Sequence, residues 1–111
     1  MSLGFNCPCH QQCVLQGVLE IIGGKWKIPI LCSLSANGAS RYNELLHNIP
    51  GISGTMLSQS LKELEHDRMV LRREYLEVPV RVEYTLSEQA QKLQPILLEL
   101  INWKIGRDNA E

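Results

Sequence analysis

The sequence has no long apolar run, few aromatic residues and no excess of either charge. Aromatic residues make up 5% of the 111 residues, and no segment approaches the ~20 apolar residues needed to span a bilayer. The first residues also lack the basic and apolar layout of a signal peptide. We therefore expect a soluble, cytoplasmic protein with no membrane partner.

Motifs of the common enzyme classes are missing as well. There is no glycine-rich phosphate loop, no nucleophile elbow and no two-histidine zinc signature. Gly23 and Gly24 interrupt an apolar segment and are interpreted as a helix break. We expect that the protein is not an enzyme and needs no cofactor.

The apolar content is sufficient for one modest core. Hydrophobic residues make up 44% of the sequence, which is ordinary for a small globular domain. We predict a flexible, cysteine-containing segment over residues 1–12, a single domain over residues 13–106 and a tail over residues 107–111.

Three differently patterned segments follow one another between Ser40 and Leu86. A short helical pattern begins at Ser40, a turn covers residues 49–52, and a second helix begins at Ser53, a good N-cap. Residues 70–86 then change to a hairpin pattern. This order predicts an α+β, mostly helical fold, a winged helix-turn-helix, which places one helix in the major groove of DNA with a β-ribbon beside it.

The second helix separates its side chains by a 3.6-residue period. Its apolar stripe consists of Leu57, Leu61 and Leu64. The opposite side carries hydrogen-bonding residues, namely Thr55, Gln59, Lys62 and His66, with Ser58 on its flank. Such residues suit base edges and phosphates, although the solvated face of an ordinary helix is an alternative interpretation. Glu63 and Glu65 are expected on the two flanks, turned away from phosphate.

The hairpin carries cations that could contact the DNA backbone. In its second run, Val80, Val82, Tyr84 and Leu86 alternate with polar residues, which predicts one buried face. We predict phosphate contacts for Arg72, Arg73 and above all Arg81. The alternative is that some of them pair across the strands with Glu74, Glu77 or Glu83.

These segments resemble the HxlR-type transcriptional regulators, relatives of the MarR group of winged-helix proteins. The resemblance covers about residues 13–103 and includes Ile-Gly-Gly-Lys-Trp-Lys from Ile22, Arg-Tyr-Asn-Glu-Leu from Arg41, Ile-Pro-Gly-Ile-Ser from Ile49 and Val-Glu-Tyr-Thr-Leu from Val82. It implies a bacterial homodimer that binds a pseudopalindromic operator in double-stranded DNA. A winged-helix module that binds proteins and not DNA is the alternative.

The net charge of −1 argues against DNA binding. Six basic and six acidic residues lie between Arg41 and Arg81, so only their arrangement in space could produce a positive surface. We expect Arg41, just after Ser40, to place the start of its helix against phosphate. The predicted DNA-contacting residues are Arg41, Ser53, Thr55, Ser58, Gln59, Lys62, Arg72, Arg73 and Arg81.

The segments that flank the motif are apolar enough to form a dimer interface. A first helix ends at Gly23, a second is predicted over residues 25–34, and a long last helix follows the cap Ser87. Pro29 is tolerated if it lies in the first turn of the second helix and otherwise kinks it. We predict N- and C-terminal dimerisation helices, with an interface that includes Val14, Leu15, Val18, Leu97, Leu100 and Ile101. A monomer whose last helix folds over its own core is the alternative. A small-molecule effector could bind at the dimer interface.

Four potentially reactive side chains lie close together near the N-terminus, namely Cys7, Cys9, His10 and Cys13. We predict that Cys13, at the start of the first helix, responds to oxidants or electrophiles, with Cys7 or Cys9 as resolving thiol. A tail whose thiols stay reduced and a zinc site formed by the four residues are the alternatives. Cys32 is expected to be a buried apolar residue.

Overall fold

The computed structural model describes residues 14–110, and within them five helices and a two-stranded sheet follow one another. The helices are α1 (Val14–Ile22), α2 (Lys27–Asn37), α3 (Tyr42–Asn48), α4 (Gly54–His66) and α5 (Glu88–Asn109), and the strands are β1 (Val70–Tyr75) and β2 (Arg81–Leu86). This is the predicted winged helix-turn-helix order. No helix within residues 14–110 is both long and apolar enough to cross a bilayer.

The core lies under α4 and is built from the apolar sides of the three preceding helices. Its most deeply buried side chains are Ile30, Leu45, Leu57, Leu64 and Val70. Tyr84, Leu86 and Leu93 pack against it from the hairpin and from α5. The predicted stripe of α4 is thus confirmed, and it fixes which side of this helix faces outward.

Helix ends follow the local signals in the sequence. Ser53 and Ser87 cap α4 and α5, because their hydroxyl oxygens accept the backbone N–H groups of Met56 and Ala90 at 3.1 Å each. Pro29 is the third residue of α2 and therefore lies in its first turn, where a missing N–H costs nothing. The α2 boundaries differ from the predicted 25–34, because the helix begins two residues later and continues to Asn37.

The turn between α3 and α4 requires a glycine. Gly51 has a φ of 85°, in the left-handed region that a side chain disfavours. The position that a Cβ would take lies 3.7 Å from the Trp26 ring. A side chain at this position would therefore strain the turn and touch Trp26, the residue before α2.

The hairpin is antiparallel, with Val70 opposite Leu86 and Tyr75 opposite Arg81. Ser40 adds a bridge beside β2, because its backbone N–H donates to the Tyr84 carbonyl at 3.0 Å and its carbonyl accepts from the Tyr84 N–H at 2.8 Å. The predicted one-sided burial of β2 is wrong, since all six of its residues are half-buried and Val80 is exposed. The Ser40 bridge, which the sequence pattern did not indicate, attaches the hairpin to the start of α3.

The last helix contacts the core only near its N-terminus. Ala90 is buried and Leu93 packs against the core, while Pro95 lies inside the helix. The helix passes residue 106, the predicted end of the domain, and continues to Asn109.

Candidate nucleic-acid interface

The outward side of α4 is polar and exposed. Thr55, Gln59, Lys62 and His66 are exposed there, opposite the buried leucines, and Ser58 is exposed beside them. Ser60 is buried on the core side of the helix. The structure therefore brings the predicted α4 contacts together on one surface, which we call the reading face.

The reading face forms one wall of an open hollow with a volume of about 670 Å³. Its lining residues are Tyr42, Gly54, Thr55, Ser58, Gln59, Lys62 and Glu63. The hollow is a concave surface between the start of α3 and the length of α4.

Tyr42 joins the two helices of the motif. Its hydroxyl donates to the Gly54 carbonyl at 2.8 Å and accepts from the Ser58 hydroxyl at 3.2 Å. A Cβ at Gly54 would lie 3.1 Å from this tyrosine hydroxyl, so a larger residue would crowd the contact. Tyr42 thus holds α3 and α4 together, and it engages Ser58, one of the predicted contacts.

Ser53 and Arg41 lie at the N-termini of α4 and α3. The Ser53 hydroxyl caps its helix, so its oxygen is already an acceptor for Met56. Arg41 is exposed, and its backbone N–H donates to the Glu44 carboxylate at 2.7 Å, which ties down the first turn of α3. Both residues position helix N-termini, whose remaining N–H groups favour anions.

Glu63 lies on the reading face, contrary to the expectation that it turns aside. Its carboxylate is 2.9 Å from the Lys27 ammonium on α2 and accepts a hydrogen bond of 3.3 Å from the Gln59 amide. The Lys27 hydrogen bond, followed by the one from Gln59, holds the pKa of Glu63 below its ordinary value of 4.5. The i, i+4 spacing of Gln59 and Glu63 was sufficient to place the two side chains together, whereas the contact with Lys27 could not be predicted from the period of α4 because Lys27 lies on another helix.

Two of the three hairpin arginines are paired with carboxylates of the hairpin itself. Arg72 contacts Glu74 at 3.1 Å, and Arg81 contacts Glu77 at 3.1 Å and Glu83 at 3.7 Å. The glutamates predicted as alternative partners of the arginines are thus confirmed. Glu74 and Glu83, however, lie on the same strand as their arginines and not on the opposite strand. Hydrogen bonding to Tyr84 and then to Glu74 raises the pKa of Arg72.

Arg81 is also stacked. Its guanidinium lies 4.0 Å from the centre of the Tyr75 ring, and its side chain is 29% exposed. Arg73, in contrast, is exposed and forms no ion pair within the described part of the chain, residues 14–110. Arg73 is thus the hairpin cation whose charge is least engaged in this structure.

The residues predicted for the dimer interface are largely uncovered in the single chain. Val14 is 74% exposed and Leu15 58% exposed on α1, while Leu100 and Ile101 are 52% and 49% exposed on α5. Val18 is also exposed and Leu97 is half-buried. Together with Trp103 and Ile105, these side chains leave a large apolar surface on the two end helices.

Cys32 is exposed, so its expected burial is wrong. The core side of α2 carries Ile30, Leu31 and Leu34, and a residue one position after Leu31 is rotated by about 100° away from that side. Cys32 lines an apolar groove of about 480 Å³ between α2 and α5. Cys7, Cys9, His10 and Cys13 lie outside the described residues, and within residues 14–110 no three potential metal ligands cluster.

Comparison with known proteins identifies the family. The model of the HxlR-like helix-turn-helix family matches residues 21–110. YdzF of Bacillus subtilis, an uncharacterised HTH-type transcriptional regulator, is 40% identical over 103 residues, which cover 92% of this chain and 94% of YdzF.

Two solved structures are similar to the chain. The HTH-type transcriptional regulator YtcD, known from Bacillus subtilis, has a TM-score of 0.84 at 41% identity, covering 89% of this chain and 100% of that one. The redox regulator HypR in its oxidised form has a TM-score of 0.76 at 38% identity, covering 89% and 99%. The chain therefore belongs to the HxlR-like helix-turn-helix family of transcriptional regulators, which are not enzymes.

Proposed function

We propose that this protein is a cytoplasmic, homodimeric transcriptional regulator that binds a pseudopalindromic operator with α4 in the major groove. The observation that carries the proposal is the reading face, where Thr55, Gln59 and Lys62 are exposed on the side opposite the buried leucines. An α-helix fits the major groove, and side chains of this kind reach base edges there.

Each side chain has a role that follows from its chemistry. Gln59 can bind adenine with two hydrogen bonds, and Lys62 can contact guanine or phosphate. Thr55 and Ser58 can reach base edges or phosphates near the helix N-terminus, which Ser53 caps. Arg41 and the hairpin arginines Arg72, Arg73 and Arg81 would contact the backbone on either side.

The net charge of −1 limits the strength of this binding. Arg72 and Arg81 are each held by glutamates, so part of their charge is neutralised before DNA arrives. We expect weak binding to random DNA and a moderate dependence on salt, because few phosphates are neutralised per subunit. A very steep loss of affinity across a salt titration would contradict this expectation.

Dimerisation would cover the apolar surface of α1 and α5. An exposed surface of this kind on a small domain marks an interaction site, and a two-fold axis would place two reading faces about one DNA turn, ~34 Å, apart. Sedimentation of wild-type protein at micromolar concentration should show a dimer. Leu100→Glu should shift it towards monomer and Leu76→Lys, at the exposed hairpin tip, should not.

The direct test of the proposal compares upstream operator DNA with random duplex. Gln59→Ala should reduce discrimination at one base pair by about 1–3 kcal/mol, whereas Arg81→Ala should weaken all sequences to a similar degree. If wild-type protein bound neither DNA, the winged helix would instead be a protein-interaction module. Equal losses on both DNAs for both variants would reject this division of roles.

We further propose that thiol oxidation at Cys13 controls DNA binding, with Cys7 or Cys9 as its resolving partner. Support comes from the similarity to HypR, a redox regulator, and from the position of Cys13 immediately before α1 in the sequence. Formation of a disulfide would transfer two electrons and two protons from the thiols to the oxidant. A change at α1 could then alter the spacing of the two reading faces.

The redox proposal has a matched control in Cys32, which is exposed and far along the sequence from the cluster. Operator binding by wild-type protein and by Cys32→Ser should change after treatment with a mild thiol oxidant, and binding by Cys13→Ser should not. A response that persists in Cys13→Ser would exclude this role for Cys13.

A small-molecule effector at the dimer interface is a second form of control that we propose, with the apolar groove between α2 and α5 as its site, because the predicted interface residues Leu97 and Ile101 line this groove. Leu98 lines this groove and is exposed. A ligand bound there should raise the melting temperature of the wild-type protein and not of Leu98→Arg. An equal rise in both proteins would place the ligand elsewhere.

A further inference from the structure

Three polar side chains form a continuous chain of contacts from α2 to the reading face. The Lys27 ammonium lies 2.9 Å from one carboxylate oxygen of Glu63, and the other oxygen accepts a 3.3 Å hydrogen bond from the Gln59 amide nitrogen. The Lys27 side chain is only 12% exposed and also approaches the Glu20 carbonyl, at 3.4 Å. Lys27, the end of this series of contacts near the core, is thus well held, and the other end is Gln59 on the reading face.

We infer that Glu63, held by Lys27, is a positioning residue that orients the Gln59 amide and strengthens its selection of adenine over guanine. This inference rests on the proposed DNA-binding function and identifies what determines its base preference at one position. It gives a specific role to an acidic residue on a surface that faces a polyanion, where a negative charge would otherwise only weaken binding.

The chemistry of the contact determines which way the amide points. An ionised carboxylate can only accept hydrogen bonds, so the group of Gln59 directed at Glu63 must be the nitrogen and not the oxygen. An exposed glutamine without such a partner can rotate its amide by 180° and present either atom to the DNA. Glu63 removes that freedom.

The oriented amide matches adenine. The Gln59 nitrogen carries two hydrogens, and donating the one trans to its oxygen leaves the oxygen and the cis hydrogen free as an acceptor and donor pair. Adenine presents the complementary donor and acceptor in the major groove, whereas guanine presents two acceptors. With guanine, the fixed amide oxygen would face another oxygen. Turning the NH2 group so that both of its hydrogens reach the two guanine acceptors would break the contact with Glu63.

The charge state of Glu63 suits this role. Hydrogen bonds from Lys27 and Gln59 lower its pKa, so the carboxylate is ionised and remains an obligate acceptor at neutral pH. Removal of the carboxylate should therefore have two separate effects. Preference for adenine should fall, and affinity for random DNA should rise because a negative charge near the phosphates is lost.

The test uses the full-length dimer and an operator selected from a random duplex library, followed by single base-pair replacements at every position. Wild-type protein should prefer adenine to guanine by about 10-fold at the position read by Gln59. Glu63→Ala should lower this ratio at that position only, and Gln59→Ala should lower it further; Glu63→Ala should also bind random DNA more tightly. Glu65→Ala removes an exposed carboxylate from the same helix and should keep the preference.

A double-substitution cycle distinguishes orientation from direct reading by Glu63. In the Gln59→Ala background, Glu63→Ala should have no further effect on base preference, because there is no amide to orient. A glutamate that contacts a base directly would prefer cytosine, from whose amino group it can accept a hydrogen bond. If Glu63→Ala removed a preference for cytosine even in the Gln59→Ala background, Glu63 would contact a base itself, and the inference would be overturned. Lys27→Met provides a second route, because it leaves the carboxylate in place and should still reduce the adenine preference.

The failure of this inference can be separated from failure of the proposed function. If wild-type protein selects an operator and Glu63→Ala keeps the same base preference at every position, only the orienting role is overturned. If wild-type protein shows no base preference, DNA reading by α4 and the role of Glu63 fail together. Thermal unfolding of each variant checks that a loss of preference does not arise from a loss of folded protein.

Discussion

The reading face of α4 and the hairpin both carry cations, but they hold them in different ways. Lys62 on the reading face forms no ion pair within residues 14–110, whereas Arg72 and Arg81 on the hairpin are engaged by neighbouring glutamates. The Arg72–Glu74 pair is exposed, and an exposed ion pair contributes about 0–1 kcal/mol. The helix therefore presents its charge directly, while the hairpin arginines must exchange a carboxylate for phosphate.

The two regions also differ in how firmly the core supports them. Leu57, Leu61 and Leu64 anchor α4 along its length and are at most 2% exposed. At the hairpin tip, Leu76 is 93% exposed and Val80 60% exposed. A rigid helix suits base reading, which depends on precise distances, and a less supported tip suits contacts with a uniform backbone.

The largest expected effect tests this difference in support. Leu57→Ala should lower the free energy of unfolding by about 2–5 kcal/mol, because it opens a cavity at a fully buried position. Leu76→Ala, at the hairpin tip, should change it by less than about 0.5 kcal/mol. Urea unfolding followed by circular dichroism measures both, and similar losses would mean that the hairpin tip is buried in solution, for instance by a partner subunit.

A smaller effect tests how the hairpin cations are engaged. Arg73→Ala should lower the affinity for all DNA sequences and reduce the slope of log affinity against log salt by about 1, as expected for one phosphate contact. Arg81→Ala should reduce the slope less, because Glu77 and Glu83 already neutralise part of its charge.

Glu77→Gln provides the control for this prediction. It removes the 3.1 Å partner of Arg81 without removing the cation, so it should raise the affinity for random DNA and steepen the salt dependence. If Arg81→Ala reduced the salt slope more than Arg73→Ala, and Glu77→Gln changed neither affinity nor slope, the ion pairs of Arg81 would not compete with phosphate.

The smallest expected effect concerns pH and the contact between α2 and α4. The pKa of Glu63 is lowered from 4.5, so its stabilising contact is present above that value and is lost as pH falls through the lower folded-state pKa. Wild-type protein should melt at a slightly higher temperature than Glu63→Gln at pH 7, and the difference should vanish in acid. A constant difference at every pH would show that the charge of Glu63 is not involved.

Several features of the fold and the candidate site followed from local patterns. The apolar stripe of α4 repeats with the helical period, so the outward position of Gln59 could be deduced from the residues alone. The caps Ser53 and Ser87 were recognisable for the same reason, since a cap depends only on residues within one turn.

The errors came from contacts between elements. Glu63 is adjacent to Gln59 because the two residues are four positions apart on α4, but its ion pair with Lys27, 36 positions earlier in the sequence, depends on how α2 packs against α4. Ser40 pairs with Tyr84 through backbone groups that any residue would supply. Cys32 was expected in the core because apolar neighbours surround it in sequence, whereas the direction of the α2 core side depends on how that helix packs.

The order of helices, turn and hairpin, the polar side of α4 and the apolar character of the two end helices could all be predicted from the residues alone. These properties depend on residue period, on caps and on glycine in a left-handed turn, all of which act over a few residues. Which charges are paired depends instead on the packing of these elements, which brings Lys27 to Glu63 and Arg81 to two glutamates. Ion pairs form between side chains brought together by packing, and a linear pattern contains no information about that distance until the helices and strands are in place.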